Sequence, residues 1–450
     1  MEWLGEVPSH WEVLRLKHRC EVFPSNVDKH SRDDEPPVRL CNYTDVYYNE
    51  RITPDMQFMA ATASPEQVAR FTLKAGDTII TKDSETADDI AIAAYVPQDL
   101  PGVVCGYHLS MVRPKEATAG AFVKRLFDSF YAKARFAVAA NGLTRVGLGQ
   151  YELDNVELPF PPHEEQCAIS SFLDRETAKI DALIAEQEKL IALLAEKRQA
   201  TISHAVTRGL DPDAPMKDSG ITWLGSVPKH WPIGSLARIA DRVVVGIAEA
   251  ATHAYQDEGV AILRSTTIRP GRIAGEILRI DPSFALDRGS KSLYAGDLVT
   301  VRTGNAGVTA VVPPGLDQCQ CFTMLVTTLH QGHSPDFFCY WMNSEAASRY
   351  FQLEGWGTAQ VNISVPILKA LPVAMPPQDE QVDIVSYLDD ATTRLQRLSA
   401  EASKAVALLR ERRSALITAA VTGQIDVRGA VSADELAAAA TQRVSNSTYA

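Results

Sequence analysis

The feature that most limits how this 450-residue chain can fold is an internal repeat. Trp3-Leu-Gly-Glu-Val-Pro-Ser-His-Trp11 returns 220 residues later as Trp223-Leu-Gly-Ser-Val-Pro-Lys-His-Trp231, with seven of nine positions identical. Pro161-Pro162-His163-Glu164-Glu165-Gln166, leading to Phe172-Leu173-Asp174, returns 215 residues on as Pro376-Pro377-Gln378-Asp379-Glu380-Gln381, leading to Tyr387-Leu388-Asp389. Ala205-Val206-Thr207 and Ala420-Val421-Thr422 close the repeat at the same offset. Self-similarity at a fixed offset means repeated structural units. The middles have diverged and keep only a frame: Leu73-Lys-Ala-Gly76-Asp77 matches Leu293-Tyr-Ala-Gly296-Asp297, and Gly142-Leu-Thr-Arg-Val146 matches Gly357-Thr-Ala-Gln-Val361. Two similar frames with dissimilar middles suit two different targets.

The shared segments read as long helices. From His163 to Thr207 there is no Gly or Pro, and Leu173, Ile180, Gln187, Leu194 and Thr201 recur every seven residues; the second copy carries Leu388, Leu395, Ala402, Leu409 and Leu416. About 45 residues at 1.5 Å each give roughly 65 Å. Such heptads ask for a partner helix, and each copy is the obvious partner of the other, with Leu173, Ile180, Leu194, Leu388, Leu395, Leu409 and Leu416 forming the seam. The paired prolines fit a helix start, the acids after them favour the positive end of the dipole, and Gly209 and Gly423 end the runs.

The middles show short β-branched or apolar runs, among them Thr78-Ile-Ile-Thr81, Val103-Val104, Leu298-Val-Thr-Val301, Thr309-Ala-Val-Val312 and Met324-Leu-Val-Thr-Thr328, broken by turn residues. Each also holds a helical stretch, Ala121 to Ala140 and Ser334 to Phe351. The expected fold class is α+β: two globular domains in tandem pseudo-repeat, residues 1–158 and 223–371, separated by helical segments, residues 159–222 and 372–429, that pair as an antiparallel coiled coil. Residues 430–450 read as an Ala-rich, flexible tail.

Composition narrows the function by exclusion. No apolar run reaches the roughly 18 residues of a membrane span and the N-terminus lacks signal-peptide layout, so a cytoplasmic protein is expected. The seven cysteines are scattered and read as buried free thiols. No Gly-Lys pair exists, which excludes a phosphate loop, and there is no Asn/Asp-Pro-Pro-Tyr/Phe motif. Cys167 stands where a metalloprotease would need its second histidine, and Asp83, Glu85, Asp88 and Asp89 read as a solvated acidic loop rather than a magnesium site.

With these repeated motifs the chain resembles, over essentially its whole length, the specificity subunits of Type I restriction-modification systems. The second helix exit, Ala420-Val421-Thr422-Gly423, lacks the arginine of Ala205-Val206-Thr207-Arg208-Gly209, a small departure. The resemblance implies a non-catalytic reader of double-stranded DNA with two target-recognition domains, each reading half of a split sequence. It further implies two methyltransferase subunits docking on the shared segments and motor-nuclease subunits joining them. No cofactor is expected in this subunit; S-adenosylmethionine, ATP and magnesium belong to the partners. A net charge of −12 stands against simple nucleic-acid binding, and neither middle is basic: residues 12–158 hold 17 Lys/Arg against 21 Asp/Glu, residues 232–371 hold 11 against 12. Weak DNA binding by the isolated subunit is therefore expected.

Base reading favours Arg or Lys on guanine, Asn or Gln on adenine, and hydroxyls or methyls elsewhere. Loops after the matched frames supply the candidates: Arg39, Asn42, Tyr43, Lys74, Lys82, His108, Asn141, Thr144 and Arg145 in the first domain. The second supplies Arg264, Ser265, Thr267, Arg269, Arg272, Arg302, Thr303, Asn305, Thr358, Gln360 and Asn362. Arg145 against Gln360 is the most telling matched pair. Two other readings stay open: a stand-alone sequence-specific DNA-binding protein, and a coiled-coil scaffold that binds only protein.

Overall fold

The structure is a computed structural model, which describes residues 4–115, 118–247, 254–286, 291–357 and 361–430. The chain divides into two compact units: residues 1–187 with 404–450, and residues 188–403. Two long helices, His163–Arg208 and Gln378–Val421, run through the division, so each unit owns the beginning of one helix and the end of the other. Within the first unit Ile169 and Leu173 share a core with Ile417, Ala420 and Val421; within the second, Ile202, Ala205 and Val206 share one with Ile384 and Leu388. A helix start packed on a helix end makes each pairing antiparallel. Leu173, Ile180, Leu194 and Leu388 are buried, and Leu395, Leu409 and Leu416 half-buried.

The first unit holds a four-stranded antiparallel sheet in the order Cys20–Pro24, Leu109–Pro114, Thr78–Thr81, Ala93–Tyr95. The second holds its counterpart, Ala240–Val245, Leu325–Leu329, Leu298–Thr300, Thr309–Val311. Each unit also holds a sheet with one parallel pair, three-stranded in the first with Pro37–Cys41 beside Val103–Cys105, and four-stranded in the second with Val260–Leu263 beside Gln320–Cys321. The helical stretch expected over residues 121–140 is two helices, Gly120–Asp128 and Phe130–Ala139, and that over 334–351 is Pro335–Met342 and Glu345–Glu354. Serine makes the break in both cases. Ser129 and Ser344 adopt extended backbone and their hydroxyls accept from Ala132 N and Ala347 N, starting a new helix.

Each matched Leu-x-Ala-Gly-Asp turn keeps its acid at the same post. Asp77 accepts from Lys74 N and Asp297 from Tyr294 N, at 2.8 and 2.9 Å, and both carboxylates are almost fully buried. Their cations differ. Arg113 forks onto Asp77 from the strand Leu109–Pro114 at 2.8 and 2.7 Å. Asp297 instead takes Arg242 from the strand Ala240–Val245 at 2.9 Å and the hydroxyl of Thr328, which stands in the place of Arg113, at 2.6 Å.

The helix starts are locked identically. Gln166 accepts from Ala119 N (2.8 Å) and donates to Pro161 O (2.8 Å); Gln381 accepts from Ser334 N (2.8 Å) and donates to Pro376 O (2.9 Å). His10 meets Glu165 at 2.8 Å and His230 meets Glu380 at 2.6 Å, tying each Trp-x-x-x-x-x-x-His-Trp motif to its own unit's helix start.

About two turns further along the helices the units part. In the first, Arg125, its side chain only 6% exposed, donates to Asp174 at 2.7 Å and reaches Glu50 and Asp128 at 3.4 Å. Lys124 reaches Asp128 at 2.6 Å, and Arg413 bridges Glu50 and Asp181. Burial pushes the Glu50 carboxyl up, but Lys124, Arg125 and Arg413 outweigh it and hold it down at about 2. In the second unit the matching acid, Asp389, accepts from the hydroxyl of Tyr340 at 2.6 Å, and burial together with that bond pushes the phenol up to about 12.

Candidate nucleic-acid interface

In the first unit the strand Thr78–Thr81 ends at Lys82 and Asp83, where the loop beginning at Asn141 folds back. Asn141 and Gly147 exchange backbone bonds (3.2 and 2.9 Å), and Leu148 N donates to Lys82 O at 2.9 Å. Val146–Gly147 then pairs with Asp83–Ser84. Gly142 has φ +146, and a Cβ there would sit 2.0 Å from Arg145 O, so the turn demands glycine. The second unit repeats this geometry. Trp356 and Asn362 exchange backbone bonds (3.3 and 3.0 Å), and Ile363 N donates to Arg302 O at 3.0 Å. Thr303 pairs with Asn362 where Asp83 pairs with Gly147.

Side chains on this shared backbone differ. Asp83 is a hub that accepts from Arg145 at 2.7 Å and meets His108 at 2.8 Å. The Lys82 ammonium lies 4.5 Å from the Tyr107 ring centroid and donates to Ser25 O at 3.1 Å; burial lowers its pKa against the pull of Asp83. Tyr43 faces the same corner, its phenol pushed up by burial while Ser84 and Arg145 oppose the rise. It begins the short helix Tyr43–Tyr47 and stacks on Tyr47 at 5.5 Å, and Tyr47 donates to Asp89 at 2.7 Å. In the second unit Arg302 donates to the Asn362 side chain at 3.1 Å, beside Trp356, which is 58% exposed.

Thus Asn42, Tyr43, Lys82, His108, Asn141, Thr144 and Arg145 fall around one corner, with Asn42 beside Gly106. Arg39 and Lys74 do not join it. Arg39 donates to Pro101 O and lies over Phe58, and Lys74 sits in the Asp77 turn, whose next residue, Ala75, binds Asp99. In the second unit Arg302, Thr303, Asn305 and Asn362 share the corner. Arg264, Ser265 and Thr267 form a turn in which the buried Thr267 hydroxyl binds Arg264 O and N, leaving Ser265 exposed. Arg269 and Arg272 are exposed on the following hairpin, which joins the sheet through Gly271 N to Thr309 O at 3.0 Å. Thr358 and Gln360 lie outside the described residues, so the pair Arg145 and Gln360 has geometry on one side only.

The Type I restriction modification DNA specificity domain matches residues 8–192. The EcoKI specificity subunit of Escherichia coli is 20% identical over 94% of this chain and 90% of its own length. Residues 8–192 thus carry a Type I restriction-modification specificity domain, and the chain is similar over nearly its whole length to a specificity subunit. The Methanocaldococcus jannaschii protein assigned as the MjaX specificity subunit is 24% identical over 58% of this chain, a match that spans 59% of that relative's length. Among solved structures, a chain from a type I R-M system studied for complex assembly and conformational transition superposes with a TM-score of 0.67 at 17% identity, covering 93% of this chain and all of that one. The HsdS subunit from Thermoanaerobacter tengcongensis superposes at 0.50, also at 17% identity, and these likenesses show a shared fold.

Within this specificity-subunit fold, sequence reasoning missed Asp83 as the organiser of the first corner, with Tyr47, Tyr107 and Leu143 among the exposed or stacked side chains there, and it missed Trp356 in the second corner. Asp83 was visible only as part of an acidic run. Its partners lie 25 and 62 residues away, a distance at which no local pattern reports contact. Among the described residues no group of three or more His, Cys, Asp or Glu is arranged to hold a metal ion, and no helix is long and apolar enough to cross a membrane.

Proposed function

We propose that this subunit reads a bipartite DNA target, the first unit's corner around Asp83 addressing one half-site and the second unit's corner around Arg302 and Asn362 the other. The supporting observation is the matched loop pair: the same backbone bonds at Asn141–Gly147 and Trp356–Asn362 carry unlike side chains, as a shared scaffold reading unlike sequences requires. Arg145 and His108 contribute donors on one side, and Arg269, Arg272, Arg302 and Asn362 donors on the other. The domains that read are residues 1–158 and 223–371, and the chain itself carries no chemistry. Two methyltransferase subunits dock on the paired helices, with motor-nuclease subunits completing the restriction complex and bringing S-adenosylmethionine, ATP and magnesium. The negative net charge leaves phosphate attraction largely to those partners.

The test is genome-wide adenine-methylation mapping in cells with and without this subunit beside its methyltransferase. A split motif that vanishes without the subunit, and whose first half alone changes in Arg145→Gln, is the expected result. Unchanged methylation with an active methyltransferase overturns the reading.

A further inference from the structure

Among the described residues of the first unit, Leu143 is the most exposed large apolar side chain, at 107% of its reference area. Single exposed leucines are ordinary; what separates this one is its mounting. It occupies the tip of the loop closed by the Asn141–Gly147 backbone pair, over a Gly142 conformation that other residues strain to adopt. The loop is tied from its far side by the Arg145–Asp83 ion pair, and Asp83 is held in turn by His108. A preorganised loop therefore holds an isobutyl group in water, adding nothing to the unit's core, between donors on Asn141 and Arg145. Apolar surface held out beside cations and amides matches the major-groove edge of thymine, which presents a methyl group next to the O4 acceptor.

The geometry points to Leu143 as a specificity residue that contacts a thymine 5-methyl group in the half-site read by the first unit. This inference rests on the DNA-reading function proposed above. Asn141, Thr144 and Arg145 supply the polar contacts that position the loop on the neighbouring bases. The matched position in the second repeat is Thr358 by sequence, a smaller residue with a single methyl, so the two half-sites need not share this base.

The experiment uses the subunit assembled with its methyltransferase and duplexes carrying the mapped motif, in which each thymine is replaced singly by uracil. That replacement removes only the methyl group and leaves every hydrogen-bonding group in place. One thymine in the first half-site should lose about fourfold in affinity on replacement, the worth of one buried methyl-sized group. Leu143→Ala should bind the natural duplex about fourfold more weakly and be indifferent to the same replacement, and Leu143→Asn should behave likewise. Replacements in the second half-site should affect wild type and both variants equally. A first half-site without thymine, or a uracil penalty as large in Leu143→Ala as in wild type, overturns the inference. Failure of the DNA-reading function is a separate outcome, because the wild-type complex would then not prefer the mapped duplex over a scrambled one.

Discussion

The two units attach their sheets to the long helices with the same glutamine and different chemistry about two turns further on. Gln166 and Gln381 make the same pair of bonds, to matched atoms, at distances that agree within 0.1 Å. Asp174 then receives a nearly buried arginine inside an extended ionic network, whereas Asp389 receives one phenol. The lesson is that the junction is specified at its first contact and free to vary at its second. An ionic network resists removal of one member because the others remain charged and desolvated; a neutral hydroxyl bond leaves less behind.

Breaking the ionic side should therefore show the largest effect. Arg125→Met is expected to lower stability by about 3 kcal/mol, the low end for a buried pair because Asp174 is partly exposed, read by denaturant unfolding of the intact chain. A loss no greater than that of Tyr340→Phe would remove the contrast. Next come Gln166→Leu and Gln381→Leu, each expected to cost about 2 kcal/mol by orphaning one buried N–H and one C=O. The two losses should agree, and a clear inequality would show that the matched bonds are not equivalent. Tyr340→Phe should cost about 1 kcal/mol, one hydrogen bond to a charged acceptor that stays partly solvated.

The smallest effects are on pH dependence. Glu50 is lowered from 4.5 to about 2, so its contribution is complete above pH 4.5 and lost as pH falls toward 2; Glu50→Gln should flatten the acid limb of a stability profile. Tyr340 is raised from 10 to about 12, so its contribution is complete below pH 10 and lost above; Tyr340→Phe should flatten the alkaline limb and leave the acid one unchanged. Thermal unfolding followed across both ranges separates them.

Much of this fold was legible because it is written locally. The absence of Gly and Pro between His163 and Thr207 gave a helix found at His163–Arg208, and Thr78–Thr81 is a strand with the bounds its β-branched run suggested. Ser129 and Ser344 escaped notice because a serine inside a helical stretch carries no sign of whether its hydroxyl will turn back and cap. The seam was half legible. The leucines expected there are buried or half-buried, and so are Thr177, Ile184, Ile191, Thr392 and Val406, a column that mixes hydroxyls with aliphatics and so breaks the apolar pattern. The candidate corner was legible as loops and illegible as a cluster: Arg39 and Lys74 look as suitable as Lys82 until the parallel strand pair sends them toward the 98–102 loop.

The buried acid of the Leu-x-Ala-Gly-Asp turn has a consequence for how such chains change over generations. Because Asp77 and Asp297 are each held by a backbone N–H of their own turn, neither depends wholly on its arginine for a place. A lineage can therefore gain a cation on one strand and lose it from another by single substitutions, with a threonine such as Thr328 filling the intermediate step. Sheet residues around the turn can then be rewritten, and with them the surface they carry, while the anchor stays fixed.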